Sequence, residues 1–203
     1  MAEKVIDRAA EIAKYQTVYQ RPKYRMGAER KESSRRALLD YGAGWARFLD
    51  VGAGRGEMLR FAAGLDFEVV EGTEVVQELL AADARLTYAE AHALPWEPGS
   101  FDVVTCFDVL EHLTPADVLP AMAELFRVAN AVVIVSAAKD SQIIDGVEHH
   151  VSRRPLDEWR RQLQDAGRKA HNGGFTLRET RRCRKGSALW IFTHTFRNPK
   201  AAA

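Results

Sequence analysis

The stretch Phe48-Leu-Asp-Val-Gly-Ala-Gly-Arg-Gly56 decides the fold of this chain. Its apolar first half predicts a buried strand over 47–51, and the closely spaced glycines then break that strand before a helix that continues to about residue 63. Glycine lets the backbone approach a ligand without a Cβ in the way, and the first turn of a helix offers N–H groups that no helical carbonyl accepts. The stretch therefore predicts a strand, a ligand-binding loop and a helix.

The sequence on either side alternates between helical and strand patterns. We expect helices over 3–14, 28–41, 75–82, 115–128 and 155–165, and strands over 67–70, 86–88, 101–107, 131–136, 175–180 and 188–196. Such alternation predicts a parallel sheet with helices on both faces, whose last two strands pair as an antiparallel edge. We expect an N-terminal helical cap that contacts substrate over 1–44, and an α/β domain over 45–200.

The composition excludes several classes of protein. With 46% hydrophobic and 28% charged residues, the chain has the make-up of an ordinary globular protein. Its longest apolar run, near 131–138, is far shorter than the roughly 20 residues that a bilayer span needs, and the N-terminus has no apolar signal core. Cys106 and Cys183 lack the spacing of a zinc knuckle or a disulfide framework. We expect a protein of the reducing cytoplasm.

Charge is unevenly distributed although the net charge is only +1. Residues 1–50 hold 11 Lys and Arg against 7 Asp and Glu, residues 51–150 hold 5 against 17, and residues 151–203 hold 13 against 4. The C-terminal cations include a cluster before the last strand: Arg178, Arg181, Arg182, Arg184 and Lys185. Either this cluster faces an anionic partner, or surfaces of opposite sign simply offset one another.

Carboxylates around the glycine loop narrow the choice of ligand. A dinucleotide-binding loop has glycine at the position that Glu57 occupies here. Asp50, two residues before the first glycine, would repel a pyrophosphate but suits a ligand that carries an amino group. Glu74 follows the second strand, where a carboxylate can accept hydrogen bonds from both hydroxyls of a ribose. Glu71 is the competing candidate for that role.

Taken together, these residues resemble the class I S-adenosylmethionine-dependent methyltransferase family, and especially its small-molecule branch typified by ubiquinone-biosynthesis methyltransferases. The resemblance covers about residues 45–200 and rests on an ordered set of runs: Leu49-Asp-Val-Gly-Ala-Gly-Arg-Gly56, Gly72-Thr-Glu74, Glu90-Ala-His-Ala-Leu-Pro-Trp96, Gly99-Ser-Phe-Asp-Val-Val104, Asp108-Val-Leu-Glu-His-Leu113 and Glu124-Leu-Phe-Arg-Val128. It implies a Rossmann-like α/β fold with a seven-stranded, mostly parallel sheet, helices on both faces and an antiparallel last strand.

The resemblance also implies a cofactor site for S-adenosylmethionine. Gly52 and Gly54 would lie under its methionine part, and Asp50 would attract its ammonium group. It further implies that Glu74 holds the ribose and that Glu90 and the backbone of Ala91 contact the adenine edge. Cys106 and Phe107 would close the methionyl side. Glutamate replaces the family's usual aspartate at both 74 and 90, which leaves the ribose and adenine geometry in doubt.

The acceptor side is less well determined by sequence. A base is needed only if the acceptor must lose a proton, and the candidates after the fourth and fifth strands are His112, His149 and His150. Candidate substrate contacts are Tyr15, Tyr19, Tyr24, Arg181 and Arg182. A small acceptor with a carboxylate or phosphate is the leading hypothesis. An RNA or other nucleic-acid methyltransferase and a non-catalytic cofactor-binding module are the alternatives, and the oligomeric state is left open.

Asp108, Glu111 and His112 suggest one further alternative. Their spacing of i, i+3 and i+4 would put all three on one face of a helical turn, where with His149 or His150 they could hold a divalent ion. The resemblance extends to a similar Glu-x-x-Glu-His element that binds metal in small-RNA 2′-O-methyltransferases and some ubiquinone O-methyltransferases. Because many relatives carry the same element without a metal, we favour a metal-free role for the histidines.

Overall fold

The structure, a computed structural model, describes residues 6–21, 28–81, 83–170, 174–183 and 186–195. Its helices are α1 (Arg8–Tyr19), α2 (Ala28–Gly42), α3 (Glu57–Ala62), α4 (Gln77–Leu80), α5 (Pro115–Val128) and α6 (Leu156–Lys169). Its strands are β1 (Arg47–Val51), β2 (Val69–Glu74), β3 (Leu86–Tyr88), β4 (Phe101–Phe107), β5 (Ala129–Ala138), β6 (Ile143–Ile144), β7 (Val147–Glu148), β8 (Phe175–Arg182) and β9 (Ser187–His194). Among these ranges, no helix has the length and apolar character that crossing a membrane requires.

Seven of the strands form one sheet in the order β3-β2-β1-β4-β5-β9-β8. The pairs among β1 to β5 are parallel, whereas β9 runs antiparallel to both of its neighbours, β5 and β8. The predicted fold class is confirmed, including the antiparallel last strand. Strand order reverses between β1 and β4, which is the point where open α/β sheets form a crevice at the carboxyl ends of their strands.

Two apolar layers hold the helices against the sheet. Because successive side chains of a strand point to opposite faces, Val104 and Cys106 of β4 pack with α5 and α6, while Val103 and Phe107 pack with α2 and α3. Trp159 of α6 is fully buried and donates its indole N–H to the Ala138 carbonyl at 3.2 Å. Helices therefore cover both faces, as predicted.

Two elements differ from prediction in ways that matter for the site. Helix α1 begins at Arg8, where the Asp7 side chain caps it by accepting from the Ala9 N–H at 3.0 Å, and it ends at Tyr19 rather than at residue 14. Residues 3–5 of the predicted helix lie outside the described residues. Strand β2 spans 69–74 rather than 67–70, because pairing with β1 continues along its polar second half. Tyr15 and Tyr19 thus lie on a helix rather than in a loop, and Glu74 ends a strand rather than following it.

The segment 138–154, between β5 and α6, contains a small hairpin. Strands β6 and β7 pair antiparallel, and the turn between them places Asp145 and Gly146 at positive φ angles of 51° and 76°. Backbone hydrogen bonds then return the chain to the element that follows β4, since the Ser152 N–H donates to the Glu111 carbonyl at 3.0 Å. The loops after β4 and β5 therefore meet beside the crevice.

Candidate functional site

A cavity of about 880 Å³ lies over the carboxyl ends of β1, β2 and β4. Its size is near the top of the roughly 300–1,000 Å³ that small-molecule sites span. Its walls are formed by the glycine loop, the end of β2, residues 89–92 and the segment after β4. Residues on one side of α1 complete the lining. One cavity therefore joins most of the predicted cofactor residues to several of the predicted acceptor residues.

The glycine loop adopts the conformation that its sequence predicts. Gly52 and Gly54 have φ angles of +73° and +56°, in the left-handed region that favours glycine. A Cβ on Gly52 would lie 2.4 Å from a methyl of Val109, and one on Gly54 would lie 2.7 Å from the Tyr19 hydroxyl. The loop is thus in close contact with the segment after β4 and with α1, and neither position has room for a side chain.

Glu74 connects the end of β2 to this loop. Its side chain is 5% exposed, and one carboxylate oxygen accepts from the Gly54 N–H at 2.8 Å. The other oxygen accepts from the N–H groups of Val75 and Val76, at 2.8 and 3.0 Å. Burial raises the pKa of Glu74, and the three backbone hydrogen bonds oppose that rise. Glu74 lines the cavity, whereas Glu71 stands in the middle of β2 and does not.

Asp50 lies deeper in the same wall. It is buried, lines the cavity and accepts a 2.7 Å hydrogen bond from the Thr105 hydroxyl. Burial raises the pKa of Asp50 to about 7, and the nearby Glu74 carboxylate adds to the rise. The carboxyl of Asp50 is therefore poised to lose its proton when a cation enters the cavity.

The other predicted cofactor residues divide into two groups. Glu90, Ala91 and Phe107 line the cavity, as expected. Cys106 does not, because alternation along β4 turns its side chain into the core between the sheet and α5, where burial raises the pKa of its thiol well above the usual value. The Cys106 side chain therefore does not face the cavity where the cofactor is expected.

Helix α1 supplies the cavity wall opposite the sheet. Tyr15 and Tyr19 both line the cavity, and the Arg55 guanidinium lies over the Tyr19 ring at 5.7 Å from its centroid. Tyr24, the third tyrosine expected near substrate, lies outside the described residues. The structure thus places α1 between the glycine loop and the acceptor side.

Sequence reasoning missed Arg8 on the same helix. Its guanidinium donates to the Asp117 carboxylate at 2.9 Å and lies 3.6 Å from the Glu90 carboxylate. Both partners are more than 80 residues away along the chain, so no local pattern signals the contact. Arg8 ties α1 to the wall that holds Glu90.

The three candidate histidines have different environments. His112 is half-buried and lines the cavity, and its Nδ1 contacts the Tyr15 hydroxyl and lies 3.0 Å from the His149 carbonyl oxygen. His149 and His150 are buried behind it and do not line the cavity. Burial lowers the pKa of His149, and its Nδ1 has no hydrogen-bond partner among the residues that the structure describes. Of the three, His112 is the one that an acceptor in the cavity would meet.

The helical turn expected to align Asp108, Glu111 and His112 does not form. Asp108 has a positive φ of 56° and is held by the Ser136 hydroxyl, which donates to its carboxylate at 3.1 Å. The helical geometry begins only at a short 3-10 turn, Leu110–His112. Glu111 and His112 instead meet His150, and ligand atoms from these three side chains lie within 4.8 Å of one another.

The basic cluster is only partly directed at the cavity. Arg182 is exposed and lines it. Arg181 does not, because its guanidinium donates to Asp40 of α2 at 2.8 Å and to Glu179 at 2.7 Å, partners that also raise its pKa. Arg184 and Lys185 lie outside the described residues. The structure therefore does not bring Arg181 to the cavity, since its charge is already paired between α2 and β8.

Comparisons with known proteins agree with the geometry. Residues 49–133 match the model of a family described as a methyltransferase domain. The ubiquinone biosynthesis O-methyltransferase of Burkholderia multivorans is 38% identical over 94 residues, which are 40% of this chain and 40% of that protein. The chain thus matches about two fifths of the length of the curated relatives that it resembles.

Two solved structures share the fold over nearly the whole chain. The first is the 1,6-didemethyltoxoflavin-N1-methyltransferase of Burkholderia thailandensis with bound 1,6-didemethyltoxoflavin and S-adenosylhomocysteine, with a TM-score of 0.71 at 16% identity over 96% of this chain and 93% of that one. The second is the magnesium protoporphyrin IX methyltransferase of Synechocystis PCC 6803 with bound S-adenosylmethionine, with a TM-score of 0.68 at 16% identity over 96% of this chain and all of that one.

Proposed function

We propose that this chain belongs to the class I methyltransferase family and transfers the methyl group of S-adenosylmethionine to a small acceptor. The observation that carries the proposal is the single cavity, which joins the glycine loop and its two buried carboxylates to a wall of tyrosine and histidine side chains. Within that cavity the nucleoside and the acceptor would bind side by side. Relatives and structural neighbours whose names describe small-molecule methyltransferases support this function.

The cofactor's position follows from the donors and acceptors in the walls. In the proposal the ribose hydroxyls share the acceptor capacity that Glu74 retains, since Glu74 lines the cavity and three N–H groups occupy three of about four acceptor sites on its carboxylate. The adenine lies against Glu90 and Ala91. The methionine part lies over Gly52 and Gly54, with its ammonium group toward Asp50.

The main contribution of the protein to methyl transfer is to align the acceptor atom with the methyl group. The sulfonium methyl carbon is already activated, so holding the acceptor atom in line with the S–CH₃ bond supplies much of the rate. When the acceptor is a hydroxyl or amine, its lone pair forms the new bond to carbon, the C–S bond breaks, and its electron pair stays on sulfur. The acceptor's proton must then leave, and His112 is the imidazole in position to receive it.

Cofactor binding is expected to depend on pH through Asp50. An ammonium group favours the ionised carboxylate, but in the free protein that carboxyl is protonated below about pH 7. Affinity for S-adenosylhomocysteine should therefore fall by up to tenfold per pH unit below 7 and level off above 8. Calorimetry at pH 6 and pH 8, in buffers of different ionisation enthalpy, measures the affinity change and the proton release. The variant Asp50→Asn should bind weakly with no such dependence; an unchanged pH profile in this variant would assign the dependence to another group.

The acceptor is proposed to be a small anion that contacts Arg182. This residue is the cluster member that the structure brings to the cavity, and Arg181 supplies a matched control because its charge is paired elsewhere. Arg182→Gln should raise the acceptor's KM by roughly two- to fivefold, a range typical of exposed charge pairs, and leave cofactor affinity unchanged. Arg181→Gln should lower the melting temperature instead, with little change in KM. The reverse pattern would place the acceptor on the α2 side of β8.

Labelled turnover tests the activity. The chain is incubated with methyl-labelled S-adenosylmethionine and a panel of small hydroxyl and amine compounds that carry carboxylate or phosphate, with random oligonucleotides as a separate arm. Transfer to a small compound with one S-adenosylhomocysteine formed per methyl supports the proposal. Label found only in oligonucleotides, at a rate that falls steeply with salt, would favour the nucleic-acid alternative. No transfer in either arm would favour a cofactor-binding module.

We further propose a cytoplasmic location, which agrees with both cysteines being free thiols.

A further inference from the structure

Arg55 is a charged residue of the cavity wall to which the proposed methyl transfer assigns no role. It stands inside the glycine loop, is half-buried and lines the cavity. In the described part of the chain three arginines line the cavity, namely Arg8, Arg55 and Arg182, and no lysine does. Arg8 is already paired with the Asp117 carboxylate, and Arg182 ends the edge strand β8. Arg55 therefore differs from the other two in both its position and its partners.

The end of α1 holds the Arg55 guanidinium in place. Its Nη2 donates to the Tyr19 carbonyl, and the guanidinium lies over the Tyr19 ring. The last carbonyls of a helix have no helical N–H to accept, so they bind cations favourably. A carbonyl is neutral, however, and within the described ranges the guanidinium has no carboxylate partner. Because a guanidinium has five N–H donors, most of them are available to an anionic ligand.

The proposed cofactor brings a carboxylate to this loop. S-adenosylmethionine ends in an α-amino acid, so its ammonium and carboxylate groups are attached to one carbon atom. With the ammonium group toward Asp50, the carboxylate lies close to the same stretch of chain, but the carboxylates of Asp50 and Glu74 repel it. Arg55 follows Asp50 by five residues, beyond Gly52 and Gly54 in the chain. It is therefore the cavity arginine that is placed to meet the ligand's carboxylate.

The other two cavity arginines are poorly placed for that carboxylate. Arg8 lies 3.6 Å from the Glu90 carboxylate, on the wall proposed for the adenine. Arg182 ends β8, which is four positions from β1 in the sheet, or roughly 19 Å at the usual spacing of about 4.8 Å between strands. Arginine also suits this role by its chemistry, because two parallel N–H donors of a guanidinium match the two oxygens of a carboxylate.

We propose that Arg55 binds the carboxylate of the cofactor's methionine part, an assignment that rests on the proposed methyl transfer. The amino-acid end is then recognised by charges of both signs, with Asp50 for the ammonium group and Arg55 for the carboxylate. Because the guanidinium also contacts Tyr19, one side chain joins the cofactor to α1, which carries Tyr15 on the acceptor side. A nucleoside that keeps the ammonium group but lacks the carboxylate should therefore bind more weakly.

Two ligands that differ only at the carboxylate test the assignment. S-adenosylhomocysteine and its decarboxylated counterpart, in which hydrogen replaces the carboxylate, are titrated calorimetrically at pH 8, where Asp50 is ionised. The unmodified chain should bind S-adenosylhomocysteine roughly 10- to 100-fold more tightly, the range expected for hydrogen bonds to a charged group. Arg55→Gln should weaken S-adenosylhomocysteine by at least about tenfold and leave the decarboxylated compound nearly unchanged. Arg55→Lys, which keeps the charge without the paired donors, should retain an intermediate preference.

Arg60→Gln is the matched control. Arg60 lies on α3, outside the cavity lining, and its guanidinium donates to the Arg55 carbonyl at 2.8 Å. The variant therefore removes a neighbouring arginine that contacts the loop but not the cavity, and it should keep the full preference for S-adenosylhomocysteine. Equal weakening of both ligands in Arg55→Gln would mean that Arg55 only fastens α1, and this result overturns the assignment. An unchanged preference in Arg55→Gln overturns it as well.

The same titrations separate this assignment from the proposed function. If the unmodified chain binds neither ligand, the proposed function fails. If it binds both ligands equally well, the proposed function stands and the assignment of Arg55 fails. Thermal melting shows whether each variant is folded, and Arg55→Lys carries the comparison of the two ligands if Arg55→Gln does not fold.

Discussion

Replacing Glu74 by alanine is expected to weaken binding of S-adenosylhomocysteine by one to three orders of magnitude. In the proposal the ribose hydroxyls lose their charged hydrogen-bond acceptor, which costs about 2–4 kcal/mol, and each 1.4 kcal/mol corresponds to about a tenfold change in affinity. The three N–H groups that Glu74 accepts from are also left without this acceptor, including that of Gly54 in the loop beneath the cofactor. Calorimetric titration of the folded variant measures the loss.

Glu71→Ala is the matched control for this prediction. It removes the same side chain from the same strand, three residues earlier, at a position that does not line the cavity. Its affinity for S-adenosylhomocysteine should stay within about twofold of the unmodified chain. A large loss in Glu71→Ala with a small one in Glu74→Ala would mean that the nucleoside does not bind at the end of β2.

Replacing His112 by alanine is expected to lower kcat by roughly 10²- to 10⁴-fold, which is the usual contribution of a general base that accepts the proton of the acceptor. His112 is the histidine of the three candidates that lines the cavity on the acceptor side, next to Tyr15. Steady-state turnover with the acceptor found in the labelling screen measures kcat. The affinity for S-adenosylhomocysteine should change little, because the residues proposed to bind its ribose, adenine and ammonium group belong to other segments of the cavity lining.

A distant histidine provides the comparison. His194 ends β9, which runs antiparallel to the other strands, so it lies at the edge of the sheet opposite the cavity, packed on the Phe175 ring. His194→Gln should leave kcat within about twofold. If His112→Ala retains full turnover, proton removal is left to solvent or to the acceptor itself, and the assignment of the acceptor wall fails.

The core strands were readable from sequence because their pattern is local. The bounds predicted for β1, β3, β4 and α5 agree with the structure, since runs of apolar residues and a proline at the first helical position specify them directly. Strand β2 was placed too early because its second half, Glu71-Gly72-Thr73-Glu74, lacks an apolar pattern. Parallel pairing with β1 nevertheless extends the strand to Glu74, so tertiary contacts override local propensity there.

The candidate site could be predicted from the sequence only where a motif marks its residues. The glycine loop and Glu74 were found because strand ends and glycine spacing are visible in a sequence. The roles of the charged residues were not, because they depend on partners far away in the chain. Arg181 pairs with Asp40 across 141 residues, and Arg8 pairs with Asp117 across 109. Similarly, only the folded loop after β5 brings His150, rather than His149, to Glu111 and His112.

Binding of S-adenosylhomocysteine in direct comparison with NAD tests the central claim most directly. Both ligands are titrated calorimetrically into the same preparation at pH 8, where Asp50 is ionised. The account predicts one S-adenosylhomocysteine per chain with a dissociation constant on the order of 1 μM, about −8 kcal/mol, and no heat of binding from NAD. Binding of NAD with none of S-adenosylhomocysteine would contradict the account, because the Asp50 and Glu57 carboxylates would then accommodate a pyrophosphate.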